Sequence, residues 1–360
     1  MTPFRARTPP DSREWDVTVS ICTYNRCSLL GQALDSVLSQ ALDQAQRYEV
    51  IVVDNNSTDD TKHLVDSYIA QGHTNLRYVF EGRQGLSYAR EAAIAHARAP
   101  IIAFTDDDVR VAPDWVSSIK RAFDSHTEVA WVGGKVLPLW PAVVPRWMRR
   151  EHWTPLALLD FGDQPFHVTA SNPRCLIGAN LAFRKDVLDG TKFEPSMQRV
   201  KDSIGSMEDH ELLMRLLKAD RQGLYAPDVV VTTDIPASRL SKEYHRRWHR
   251  GHGHFFAIGR FEDLEPSKTG RLFDVPAHMY RQAAIDTIQW LRTIVRGDLN
   301  AAFTYELRLM FFAGFVRTRY KDFSEVRTGN RLVELGRFAR SVARKFLLRG
   351  FARHSGGIQR

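Results

Sequence analysis

Strand-like and helix-like segments alternate through the first hundred residues, and this alternation restricts the fold more than any other property of the chain. Asp16–Cys22 (DVTVSIC), Tyr48–Val53, Leu76–Phe80 and Pro100–Phe104 read as short apolar strands, several of them rich in β-branched residues. Between them, Ser28–Gln40, Thr61–Ala70 and Leu86–Ala97 have helical length and spacing. Strands interleaved with helices of this length imply a parallel sheet with βαβ crossovers. In such sheets ligands bind beyond the carboxyl ends of the strands. Three polar clusters fall at those ends: Thr23-Tyr24-Asn25-Arg26, Asp54-Asn55-Asn56 and Asp106-Asp107-Asp108.

The aspartate triplet carries the most chemistry. Three adjacent carboxylates repel one another, and a bound divalent ion reverses that repulsion. Hard oxygen ligands select magnesium or manganese, and such sites usually share the metal with a phosphorylated substrate. The plainer alternative is a solvated acidic turn before a helix opened by Pro113.

Composition narrows the setting. The 360 residues are 43% hydrophobic, enough for a sizeable core in one large or two smaller domains. No apolar run approaches the length of a membrane span. The N-terminal stretch has prolines and charges without a signal-peptide core, which places the chain in the cytoplasm, with residues 1–13 expected to be disordered. Cys22, Cys27 and Cys175 form neither a disulfide framework nor a zinc motif and read as reduced thiols. The net charge of +8 is uneven: residues 241–360 hold 23 Lys and Arg against 11 Asp and Glu, leaving 27 against 31 in the first 240. A basic tail behind an acidic body points to an anionic partner, a membrane surface or a diphosphate. Nucleic acid is set aside, because the tail carries none of its recognition motifs.

Beyond Asp108 the pattern loosens. Trp131–Val136, Leu176–Phe183 (which includes Gly178-Ala179-Asn180) and Val229–Thr233 read as strands. Residues 138–173, rich in Pro and Trp, read as an ordered loop over a site. Glu208-Asp209 opens an amphipathic helix carrying Leu212, Leu213, Leu216 and Leu217, and the chain from Ser241 reads as helical and basic.

The ordered set VSICTYNR, VVDNNSTD, FTDDDVRVAPDW, GANLAF and MEDHELLMRL resembles the family 2 glycosyltransferases over about residues 16–250. The resemblance implies an α/β GT-A fold, a Rossmann-like mixed sheet flanked by helices, as a catalytic domain at residues 14–255, with a helical, basic region at 256–360. It also implies inverting transfer of a sugar from a UDP- or GDP-linked donor, with Mn2+ or Mg2+, to a saccharide or lipid-linked acceptor in the synthesis of cell-surface polysaccharide. On this resemblance Thr23, Tyr24 and Arg26 border the donor base and Asp54 accepts a hydrogen bond from it. Asp106 faces the ribose, and Asp107 or Asp108 holds the metal. Asp209 matches the base that takes the acceptor proton, and Glu208 is its neighbour. Helix-opening geometry favours an ionised carboxylate at Asp209. Gly178, Ala179 and Asn180 match a small-residue stretch beside the donor and acceptor sugars, and Arg90 in RQGLSYAR a helix start near the nucleotide.

Arg246, Arg247 and Trp248 resemble the Arg-Trp element that closes the donor site of processive relatives. Tyr244 stands where that element has Gln, which argues against processive polymerisation. Guanidinium groups there suit a diphosphate. His245 and His249 are one helical turn apart, without further ligands for zinc. His252 or His254 is left as a single metal contact.

In the tail, Leu335, Phe338, Val342 and Phe346 form an apolar stripe among Arg337, Arg340, Arg344, Lys345 and Arg349, a pattern that suits an anionic membrane interface. Leu309–Val316 adds apolar surface. The expectation is peripheral contact with the inner face of the membrane, and the alternative is packing on the catalytic body or on a second copy as a homodimer. Two rival functions remain. A nucleotidyltransferase would place a Gly-rich phosphate loop where CTYNRC stands, and a non-catalytic sugar-binding scaffold has no need of the triplet or of Glu208-Asp209.

Overall fold

The computed structural model describes residues 15–43, 46–141, 143–193, 207–259 and 270–326. Its first strands are β1 (Val17–Thr23), β2 (Tyr48–Asp54), β3 (Leu76–Phe80) and β4 (Ile101–Asp106), linked by α1 (Cys27–Leu38), α2 (Thr61–Ala70) and α3 (Leu86–His96). All their pairings are parallel, in the order β3-β2-β1-β4. β2, YEVIVVD, is buried at every position, as a strand covered on both faces requires. The connections run outward from β1 to β3, and α3 then returns the chain to the other side of β1. That reversal opens a crevice at the carboxyl ends of β1 and β4. The register brings the polar clusters together there: Cys22 lies opposite Asp106, and Thr23 opposite Asp54.

The sheet continues with mixed polarity. β5 (Val109–Val111), α4 (Trp115–Ser125), β6 (Val129–Leu139), β7 (Phe166–Val168), β8 (Leu181–Arg184), α5 (Lys185–Leu188), α6 (Glu208–Lys218) and β9 (Gln222–Asp234) follow in sequence. β8 lies antiparallel between β4 and β6, β6 runs parallel to β9, and β5 and β7 both pair antiparallel with β9. This is the α/β mixed sheet with flanking helices that the resemblance implies.

Several expectations need correction. The strand expected at Leu176–Phe183 starts only at Leu181, and Gly178–Asn180 form a single 3-10 turn before it. The strands expected at Trp131–Val136 and Val229–Thr233 are longer, because each supports the other over most of its length. The stretch from 138 to 173 is ordered by β9: Tyr225 Oη accepts from Phe161 N at 3.1 Å and donates to Gly162 O at 3.0 Å, and its ring stacks on Phe166.

Residues up to 193 together with Glu208–Leu240 form one compact unit, and the described residues from Ser241 onward form a second. The expected boundary at residue 255 therefore falls inside a helix, α7 (Lys242–Gly259), which belongs with the second unit. That unit also holds the hairpin β10 (Arg271–Leu272) and β11 (Val275–Pro276), then α8 (Ala277–Val295) and α9 (Leu299–Val326). α7 and α9 cross with their backbones touching. A Cβ on Gly253 would lie 2.0 Å from Phe311 O, and one on Gly314 2.0 Å from Arg250 O. Only residues without a side chain allow that approach. Phe315 is fully buried with Ala257 and Val275, and Phe312 and Val316 pack beside them. Much of the apolar surface expected from Leu309–Val316 is thus internal packing of this unit. The N-terminal residues 1–13 and the stripe Leu335–Phe346 lie outside the described residues. No helix among those described is long and apolar enough to cross a membrane.

Candidate active site

The rim of the crevice is built by the turns that end β1, β2 and β4. Asn25, in the left-handed region at φ 51°, accepts from Thr58 N at 2.7 Å, and its own N–H donates to Ser57 Oγ at 3.0 Å. Asparagine tolerates that backbone better than most residues. These bonds stitch the β1 turn to the β2 turn. Asn55 does the same for the segment before α3, accepting from Gly85 N and donating to Arg83 O, each at 2.7 Å.

Asp107 sits deep in this rim. Thr23 Oγ1 donates to its Oδ2 at 2.7 Å, and Arg26 reaches its Oδ1 at 3.0 Å and Asp108 Oδ2 at 3.1 Å. Arg26, expected beside the donor base, therefore neutralises the carboxylates expected to hold metal. Burial raises Asp107 above the ordinary carboxylate range, against the pull of Arg26 and Thr23. Burial also raises Asp106, to about 7, with Asp108 and Asp107 adding to the rise and Arg90 opposing it. Tyr24 is exposed on the rim.

Asp54 is buried, and both oxygens have donors: Ser57 N–H at 2.8 Å and Tyr78 Oη at 2.7 Å. In this arrangement it caps its turn and ties it to β3.

Arg90 is where sequence reasoning most underread the site. It lies on the buried side of α3 with Ser87, Ala89, Ala93 and Ile94. Its Nη1 pairs with Asp209 and lies 3.3 Å from Glu208 Oε1, and its side chain is only 5% exposed. The rings of Phe104 and Phe193 lie 6.0 and 5.6 Å from its guanidinium. Despite burial, which works against the charge, Asp209 and Glu208 hold Arg90 protonated above its ordinary range. The available signal was an arginine on a helix face otherwise made of small and apolar residues; such a cation needs a buried acid.

Asp209 has a second anchor. Gly178 N–H donates to its Oδ2 at 3.1 Å, and a Cβ at Gly178 would stand 2.0 Å from that same oxygen. The glycine lets the carboxylate lie directly against the backbone. Asp209 thus stands in the first turn of α6, held between the Gly178 amide and Arg90. Asn180, expected beside the sugars, is 1% exposed, accepts from Trp115 Nε1 at 2.8 Å and donates to Lys135 O and Val229 O at 2.9 Å. It ties α4, β6 and β9 together. Ala179 is buried beside it.

The residues expected from α7 belong to the second unit's own packing. Arg246 Nε donates to Glu306 Oε1 on α9 at 2.6 Å, which matches its charge within the second unit. His252, expected as a metal contact, stacks on Trp248 with centroids 4.5 Å apart and lies 5.5 Å from Phe311. Both rings are taken up by the α7–α9 seam. Arg247 is exposed.

Among the described residues, no group of three or more His, Cys, Asp or Glu is arranged to hold a metal alone. The rim instead offers the hard oxygens of Asp107 and Asp108 beside the further negative charge of Asp106. One or two carboxylates sharing an ion with substrate phosphates and water is the usual arrangement for magnesium, so the donor set fits such an ion.

A family model described as Glycosyl transferase family 2 matches residues 18–191. A glucosyl-dolichyl phosphate glucuronosyltransferase of Haloferax volcanii is 28% identical over 174 residues, 48% of this chain and 53% of that protein. The chain thus spans about half the length of that relative. Succinoglycan biosynthesis protein ExoM of Rhizobium meliloti is 26% identical over 276 residues, 74% of this chain and 78% of that one. The solved structure of mannosyltransferase PcManGT from Pyrobaculum calidifontis, in complex with GDP-Man and Mn2+, has a TM-score of 0.51 at 19% identity. It covers 94% of this chain and 82% of its own, a likeness of fold.

Proposed function

Residues 18–191 are a family 2 glycosyltransferase domain, and from this premise we propose that the chain moves a single sugar, with inversion, from a UDP- or GDP-linked donor to a saccharide or lipid-linked acceptor. The observation that carries the reading is Asp209 itself, anchored by Arg90 and the Gly178 amide and within electrostatic reach of the carboxylate rim.

In this reading the acceptor hydroxyl loses its proton to Asp209 as its oxygen bonds to the anomeric carbon. The bond from that carbon to the diphosphate breaks, and the nucleoside diphosphate leaves with the electron pair. Arg90 and the Gly178 amide keep Asp209 aimed. Tyr24 offers an exposed ring at the rim to the donor base, and Thr23 and Arg26 hold Asp107 and Asp108 in place. Those two carboxylates would hold Mn2+ or Mg2+, which when bound supplies positive charge against the departing diphosphate. The names of the two sequence relatives support a lipid-linked or polysaccharide acceptor.

The test separates binding from chemistry. Asp209→Asn is expected to lower sugar transfer by about 10²–10⁴-fold, with nucleoside diphosphate affinity, measured by calorimetry with Mn2+ present, held near wild type. Near-normal transfer would reject Asp209 as the base. Release of pyrophosphate from a nucleoside triphosphate would instead favour a nucleotidyltransferase.

A further inference from the structure

The second unit turns its apolar excess outward on one helix. Along α8, Ile285, Ile288, Leu291 and Val295 fall within a single face at 100° per residue, and all are exposed, Val295 to 86%. Leu299, at the start of α9 just past the Gly297 turn, is also exposed, to 63%. Isolated exposed apolar residues are ordinary, but a contiguous row over about three helical turns marks a contact surface.

The charges beside the stripe identify the contact. Arg281 and Arg292 fall within the same arc and Arg296 just beside Ile285, and all three are exposed. Asp286 is the helix's only carboxylate, and it is turned inward, 4% exposed, accepting from Gln282 and facing Arg308 at 3.6 Å. Along α8 itself the outer face is therefore apolar and cationic, and the exposed acid Asp298 lies past its end. Antiparallel self-pairing would set these arginines against one another without compensation, which disfavours a second copy as the occupant. An anionic lipid surface satisfies both properties at once: acyl chains take the stripe and headgroups take the arginines. α8 is too polar to span a bilayer and has the pattern of a helix that lies in its surface.

We propose that the outer face of α8 docks this chain on an anionic membrane. The site is independent of the sugar-transfer chemistry. It also differs from the contacts that the sequence pointed to, since the Leu309–Val316 stretch contributes Phe315 and its neighbours to packing inside the unit.

Flotation of the full chain with vesicles tests it. Binding is expected to phosphatidylcholine vesicles containing phosphatidylglycerol, weakly to phosphatidylcholine alone, and to fall as salt rises. The Ile288→Glu/Val295→Glu variant should bind about tenfold or more weakly, and Arg281→Ser/Arg292→Ser/Arg296→Ser should lose the preference for anionic lipid. Both alter exposed positions, and circular dichroism checks that the fold persists. Absence of binding, or equal binding by both variants, would overturn the proposal. So would a lipid-free dimer that Val295→Glu splits, because the face would then belong to a second copy. Donor hydrolysis in lipid-free buffer reads the transfer reaction separately, so either idea can fail alone.

Discussion

Both units pair arginines with carboxylates, yet they balance charge in opposite ways. In the first unit Asp106, Asp107, Asp108, Glu208 and Asp209 gather around two cations, Arg26 and Arg90, and burial, with Asp108 and Asp107 adding to it, raises Asp106 to about 7. In the second, Arg246 meets Glu306, Arg319 meets Asp274, Arg308 meets Asp286, and the excess positive charge stays outside. A pair that balances holds helices together. A cluster left negative is a place prepared for something positive. The same residue types therefore serve packing in one region and chemistry in the other, and the count of opposing charges tells them apart.

The sharpest way to break this contrast is to remove one arginine from each side. Arg90→Met strands Glu208 and Asp209 at a largely buried site and is expected to cost about 3–5 kcal/mol of stability, read by urea denaturation. Arg246→Met removes a partly exposed pair and should cost about 1 kcal/mol or less. Equal losses would erase the distinction.

A smaller effect separates the two kinds of tight glycine. Gly178→Ala pushes on the Asp209 carboxylate and should lower transfer about 10²-fold through misplacement of the base, with a modest change in melting temperature. Gly314→Ala wedges the α7–α9 crossing apart and should act on stability, by about 1–3 kcal/mol. If Gly178→Ala left turnover intact, the aim of Asp209 would not depend on this contact.

The finest probe is pH. Burial lowers His210, next to Asp209, to about 4. Unfolded it titrates near 6.5, so the folded state binds fewer protons between these values. The contribution is complete above about pH 6.5 and is lost as pH falls toward 4, with a slope of at most about 1.4 kcal/mol per pH unit. His210→Gln should flatten that part of a stability profile; an unchanged slope would assign the acid lability to other groups.

The parallel half of the sheet was readable because its information is local. Apolar runs such as YEVIVVD form strands wherever both faces are covered, and a polar cluster after each run marks the strand end. What could not be read depends on distant partners. Gly178 sits in a turn because the Asp209 carboxylate, 31 residues on, occupies the space of its side chain. Arg246 looked free to bind phosphate because Glu306 is 60 residues away. β7 is three residues long with no alternation of its own and exists because β9 pairs with it. The α8 stripe was passed over because exposure, unlike periodicity, is known only after packing.

The position of β9 has a consequence for how the chain comes into being. It is the last strand of its sheet to be synthesised, yet it lies between β6 and β5 and also holds β7. Until residue 234 has left the ribosome, those three elements lack their common partner, and Asp209 has only just emerged ahead of it. Contacts spanning so much sequence close slowly. A chain halted before Gln222 would expose unpaired strand edges to neighbouring molecules, so synthesis to the end of β9 is the interval in which this protein is most open to aggregation.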